Sequence, residues 1–182
     1  MRALVRAGYD AVYLTEHHEV WPDDELKALR AGFPKLLIFP GVELTVTEMP
    51  LQHLLVLGTN DPSYLTMDGP AAVLERARAE GHLTVLAHPC RWEGAGHLLE
   101  EGLRPDAIEF RTCSQDLFRA GEAMAWARQL GLPAVNAGDV HSLDMIGQFW
   151  IETAHPLRDA DDIRDVILGG HYDNHPLATK PA

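Results

Sequence analysis

Glu16, His17 and His18 stand together directly behind a strand-like run, Ala11–Thr15. The arrangement recurs along the chain. Glu43 follows "LLIFPGV", His88 follows "LTVLA", Glu109 lies near the end of "DAIEF", and Asp139 and His141 follow "LPAVNA". Imidazole nitrogen and carboxylate oxygen are the ligand atoms that zinc, manganese and iron share. Asp139 and His141 are two residues apart, so in extended chain both point to one side. A carboxylate such as Glu43 can bridge two ions, and ions held roughly 3.5–4 Å apart generate a hydroxide and neutralise a phosphate. The chemistry that suits these residues is the holding of divalent ions that activate water.

Such a set works only if the strands deliver it to one rim. Short β-branched or Leu-rich runs alternate with amphipathic stretches throughout the chain. Strands are expected at Ala11–Thr15, Lys35–Phe39, Gln52–Leu57, Leu83–Ala87, Asp106–Phe110, Pro133–Ala137 and Gln148–Glu152. Helices are expected at Met1–Ala7, Asp24–Ala31, Pro70–Glu80, Ala95–Glu100, Asp116–Leu130 and Arg158–Leu168. Asp23 suits a helix cap and Pro70 a first turn, while Gly8, Gly32, Gly81, Gly131 and Gly169 sit where helices should end. The alternation predicts an α/β fold with a mostly parallel sheet, in which ligands bind at the carboxyl ends of the strands. His53 opens its run instead of closing it. A hairpin through Thr47–Pro50 would return it to the same rim, about one residue from facing Glu43.

At 182 residues the chain fits one domain with a substantial core. A net charge of −12 disfavours long nucleic acid as a partner, although metal ions can reverse the field locally and admit a small phosphorylated substrate. No apolar stretch approaches the ~20 residues of a membrane span, and no secretory signal opens the chain, so a cytoplasmic protein without membrane contact is expected. Cys90 and Cys113 form no CxxC pair and are expected as free thiols. Each motif alone has an ordinary explanation: His before Pro is often structural, and "GDVHS" could be a capped turn. Their joint placement on one rim favours a metal site of His17, Glu43, His53, His88, Asp139 and His141. Arg91 and Arg111, just beyond strand ends, could grip a phosphate or pair with surface acids. His18 is expected to support the site or touch substrate. His82, His97, His155, His171 and His175 are expected to be solvated.

These segments together resemble the PHP family, named for polymerase and histidinol phosphatase domains. "GYDAVYLTEHHEV" resembles its Gly-hydrophobic-Asp, strand, Thr-Asp-His segment, with Glu16 where the family has Asp. "FPGVELTV" resembles Pro-Gly-x-Glu, "HLLVLG" the His-strand-Gly run, and "LAHPCRW" the Ala-His-Pro motif. "DAIEF" resembles the strand ending in Glu, "AGDVHS" the Gly-Ser-Asp-x-His motif, and "DADDIRDVILGGH" the closing helix. The resemblance implies a distorted seven-stranded (β/α) TIM-like barrel spanning residues 1–171, with 172–182 as a peripheral tail. It implies one to three divalent metal ions (Zn, Mn or Fe) and phosphoester hydrolysis. Glu43 would bridge, His53 and His88 would complete one metal, Asp139 would serve another, and His17 and His141 would hold a third. His17, Asp139 and His141 would stand nearest the chemistry.

The family opens with a strand bearing His-x-His, and here no His precedes His17. A truncated start, a variant with fewer metals and a non-catalytic binding or scaffold module are the competing explanations. The barrel would then lack its first strand, leaving an edge at Ala11–Thr15 through which a homo-oligomer could pair. The amidohydrolase barrel is a further alternative, but its strand-end lysine has no counterpart among Lys27, Lys35 and Lys180.

Overall fold

The computed structural model describes residues 1–92 and 96–176. Six strands form one sheet in chain order: β1 (Ala11–His17), β2 (Leu37–Glu48), β3 (Leu51–Leu57), β4 (Leu83–Ala87), β5 (Ala107–Arg111) and β6 (Ala134–Asn136). The β1/β2, β4/β5 and β5/β6 pairs are parallel, and β3 runs antiparallel to both of its neighbours. β7 (Phe149–Thr153) and β8 (Tyr172–Pro176) form a separate two-stranded antiparallel sheet. The sheet curls into a half-barrel. His17 and His141, from opposite ends of the strand order, bring their ring centroids within 6.3 Å.

Six helices join the strands: α1 (Arg2–Ala7), α2 (Asp23–Gly32), α3 (Gly69–Glu80), α4 (His97–Glu100), α5 (Leu117–Leu130) and α6 (Ala160–Gly169). The period-2 alternation of the strands divides the core into two sides. Outward residues pack under helices: Leu14 and Ile38 with Leu26 of α2, Leu54 and Val56 with Val73 of α3, and Leu86 and Ile108 with Ala123 of α5. Inward residues Leu55, Leu57, Leu83, Val85, Ala107 and Val135 make one cluster, joined by Ile163 and Ile167 of α6. Leu57 and Leu83 lie at the end of their strands away from the candidate ligands, so α6 seals the floor of the concave face.

Several boundaries differ from the sequence reading for local reasons. The two runs on either side of Pro40 merge into one twelve-residue strand, because Pro40 still offers its carbonyl to the Gly58 N–H at 2.9 Å. Asp23 is not a cap; it lies in the first turn of α2 and accepts from Asn60 Nδ2 at 2.8 Å. Gly32 and Gly169 are the last helical residues, and the left-handed cap of α6 is Gly170. Ala95, the expected start of a helix, lies outside the described residues, and α4 begins at His97. Residues 172–176, expected in a peripheral tail, instead form β8; residues 177–182 lie outside the described residues.

β8 also covers the edge of the main sheet. Asn174 donates from Nδ2 to Ala134 O at 2.8 Å, and its Oδ1 accepts from Asn136 N at 2.6 Å. Tyr172 OH adds a bond to Ala134 O at 2.9 Å. A side-chain amide thus supplies β6 with the donor and acceptor that another strand would present.

Gly41 faces inward two residues before Glu43. A Cβ there would stand 3.0 Å from Leu57 Cδ2, 3.0 Å from Thr15 Cγ2 and 3.1 Å from Val56 O. The Gly41→Ala variant is therefore expected to lose about 1–3 kcal/mol by overpacking, read as a lowered thermal midpoint of the metal-free protein. An unchanged midpoint would show that β1 and β3 yield freely at that level.

Candidate metal centre

The rim of the half-barrel gathers ligand-type side chains from all six strands of the sheet. His17 ends β1, Glu43 lies within β2, His88 follows β4, Glu109 lies within β5, and Asp139 and His141 follow β6. His53 comes from the start of β3, which reaches the same rim because β3 is reversed. The hairpin pairs His53 with Thr45, so His53 lies two residues from facing Glu43 rather than about one. Both side chains still point inward, and a bulge between Thr45 and Thr47 tightens the approach.

Glu43 is the centre of the arrangement. Its Oε1 lies 2.7 Å from His53 Nδ1 and 3.1 Å from His88 Nε2, and its Oε2 lies 3.7 Å from His17 Nε2. The His53 ring sits 4.9 Å from that of His17 and 5.1 Å from that of His88, centroid to centroid. On the far side, His141 Nδ1 is 3.4 Å from Asp139 Oδ1. Glu43, His53 and His88 are buried, whereas His17 and His141 are exposed at the mouth.

The electrostatics follow from that burial. Burial alone would raise the Glu43 pKa, but bonds from His53 and His88 outweigh it and hold the carboxyl at about 2. For His88, burial disfavours the charged form, yet the Glu43 hydrogen bond and the charges of Glu109, Glu43 and Asp139 raise its pKa overall. Glu109 is pushed up to about 7 by burial, and its Oε2 accepts the His88 backbone N–H at 3.0 Å.

The donors suit divalent cations. One ligand atom each from His17, Glu43 and His53 fits within 4.8 Å of the others. Asp139 Oδ2 and His88 Nδ1 are buried with no hydrogen-bond partner among the described residues. Burying an unpartnered carboxylate oxygen is costly, and a cation beside it removes that cost. The set within 4.8 Å joins His17 to Glu43 and His53, whereas the family resemblance pairs His53 with His88 and His17 with His141.

Backbone strain marks the same rim. His18, His88 and Asp139, at φ 50°, 28° and 45°, are the non-glycine residues with positive φ among the described residues. Each such residue costs roughly 1–3 kcal/mol and persists where the surroundings over-determine it. All three are ligand candidates or adjoin one.

The other sequence candidates are placed as follows. Arg91 stacks over the Trp92 ring at 4.8 Å, and Arg111 over Phe149 at 5.0 Å. Neither forms a salt bridge among the described residues. His18 turns its ring to the backbone, where Nε2 accepts the Thr45 N–H at 2.9 Å. Trp92 escaped the sequence reading: its ring lies edge-to-face with His53 and His88, at 5.3 and 5.5 Å, and walls one side of the centre. Its only signal was an aromatic residue shortly after Ala-His-Pro. Asn136 was also missed; it is buried at the end of β6, and both its side-chain polar atoms lack a partner among the described residues. His175, expected in solvent, stacks on Trp150 at 5.4 Å. Cys90 is buried, which pushes its thiol up to about 12, and both cysteines are free.

Comparison with known proteins agrees with this geometry. A two-domain protein from Bacteroides vulgatus containing a predicted PHP-like metal-dependent phosphoesterase matches with TM-score 0.69 and 19% identity over 96% of this chain. The chain spans 60% of that protein's length. PsfC from Pseudomonas syringae matches with TM-score 0.66 and 24% identity, covering 99% of this chain and 84% of PsfC. A proposed metal-dependent phosphoesterase from Bifidobacterium adolescentis matches with TM-score 0.61 and 13% identity, covering 91% and 88%. At these identities the likeness concerns the fold, which is that of the PHP-like proteins. A family model described as PHP-associated matches residues 120–172, from α5 to the start of β8. The motifs in order along the rim and the fold resemble those of the PHP family. No curated protein sequence matches it.

Proposed function

We propose that the chain carries the metal centre of a divalent-metal-dependent phosphoester hydrolase acting on a small phosphorylated substrate. One observation carries this reading: a buried carboxylate, Glu43, is approached by three histidines while a second buried carboxylate oxygen, on Asp139, has no partner among the described residues. His17, Glu43, His53, His88, Asp139 and His141 would hold the ions. Bound divalent ions supply Lewis-acid polarisation and make water acidic enough to react at neutral pH.

The chain's own side chains would do the rest. Glu43, held ionised by His53 and His88, keeps negative charge at the centre of the cup. Trp92 excludes water on one side. Arg91 and Arg111 would clamp the non-bridging phosphate oxygens, with aromatic rings stacked behind their guanidinium groups. Whichever of His17 and His141, both exposed at the mouth, is not committed to an ion would pass a proton to the leaving oxygen. Zinc, manganese and iron all suit the donor set. We read the curled sheet as part of a distorted (β/α)7 barrel, in which the outer edge of β1 takes a further strand, for example from a second copy of the chain.

A second reading is favoured by the donor grouping. Among the described residues a single three-atom set converges, which suits a protein that holds fewer ions and serves as a binding module. A phosphatase assay with added Mn²⁺ or Zn²⁺ separates the two. Hydrolysis that falls at least roughly 100-fold in both His88→Ala and Asp139→Ala supports the enzyme. Turnover unchanged in both removes the metal mechanism.

A further inference from the structure

β1 pairs with β2 in parallel from Ala11↔Leu37 to His17↔Glu43, and β2 then continues to Glu48. In a parallel ladder the next residue, His18, would donate its N–H to Glu43 O and accept the Thr45 N–H at its own carbonyl. The first bond is made, at 2.9 Å. The second is not made by the carbonyl. His18 takes a left-handed conformation, φ 50°, and turns the chain out of the sheet. Its ring fills the gap instead, with Nε2 accepting the Thr45 N–H at 2.9 Å.

The geometry points to His18 as a positioning residue. Its ring stands in for its own carbonyl, so β1 stays clamped to β2 to its last residue while the chain leaves the rim at once. His17 is thereby held with Nε2 at 3.7 Å from Glu43 Oε2. Thr45 sits opposite His53 in the next pair, so the same bond steadies the strand that His53 leans on. A substrate contact by His18 would require the ring to abandon this bond. The inference rests on the metal-centre reading only for its effect on metal affinity; the clamp itself is independent of it.

The test uses two variants of the full chain. His18→Gly removes the ring while favouring the left-handed turn, so a loss cannot be blamed on backbone strain. His18→Gln restores an acceptor of similar reach. Amide hydrogen exchange at Thr45 in the metal-free protein and Mn²⁺ affinity are read for each. In His18→Gly, Thr45 exchange is expected to speed up at least about tenfold, and Mn²⁺ affinity to fall roughly 10–100-fold, as for loss of an outer-shell partner. His18→Gln is expected to recover most of both. Unchanged Thr45 exchange in His18→Gly overturns the clamp, and so does a His18→Gln variant as impaired as His18→Gly. Wild-type protein that binds no Mn²⁺ overturns the metal-centre reading instead, and Thr45 exchange alone then decides the clamp.

Discussion

Glu43→Gln is expected to empty the centre. The substitution keeps the shape of the side chain and removes the charge that three histidines approach. Outer-shell losses cost roughly 10–100-fold in metal affinity, and removal of the shared carboxylate should exceed that range. Dialysed Glu43→Gln protein should hold almost no metal by elemental analysis and show no hydrolysis above background. The metal-free protein should suffer too: the amide oxygen can still accept from His53 and His88, but those bonds lose the charged partner that makes each worth about 1.5–3 kcal/mol and become ordinary neutral ones. Its thermal midpoint should drop by about 2–4 °C for each kcal/mol lost. Retained metal stoichiometry in this variant would remove Glu43 from the ligand set and with it the proposed centre.

The second large effect lies away from the histidines. Asn174→Ala should destabilise the protein by about 1–3 kcal/mol, because it strips the Asn136 N–H of its acceptor at a half-buried edge. Ala134 O keeps the Tyr172 hydroxyl, so the donor side of the amide matters less. Asn174→Asp is the sharper variant. It preserves the acceptor for Asn136 but sets a carboxylate oxygen against Ala134 O, 2.8 Å from the position of Nδ2. Asn174→Asp should therefore melt no higher than Asn174→Ala at neutral pH. Because β6 leads directly into Asp139 and His141, either change should also weaken metal affinity. A melting curve that places Asn174→Asp at wild type would refute the proposed pairing of donor and acceptor.

The sequence was informative where one rule controls the outcome. Strand-ending His17, His88 and Asp139 were legible because parallel connections force strand ends to one rim. The inward alternation of Leu55, Leu57, Leu83 and Val85 followed from period 2. What remained hidden depends on contacts between distant residues. The register of β3 against β2 turns on a bulge beside Val46, which no local pattern announces. β8 looked like a polar tail because "HYDNH" has little apolar character; its stability comes from pairing with β7 and from Asn174 reaching β6. Left-handed backbone at His18 and His88 was equally invisible, since histidine gives no such warning. Trp92 declared its residue type but not the direction of its ring.

The reversed strand has a practical consequence. Short surface turns are where labels and small insertions are usually tolerated. The hairpin tip, with Met49 exposed, meets that description, yet it is the wrong place for one. Slipping the hairpin by a single residue would rotate every side chain of β3 to the opposite face, sending His53 beneath α3 and an amide, Gln52, into the cup. An epitope tag at this tip that slipped the pairing would thus carry His53 out of the cup while leaving the circular dichroism almost untouched.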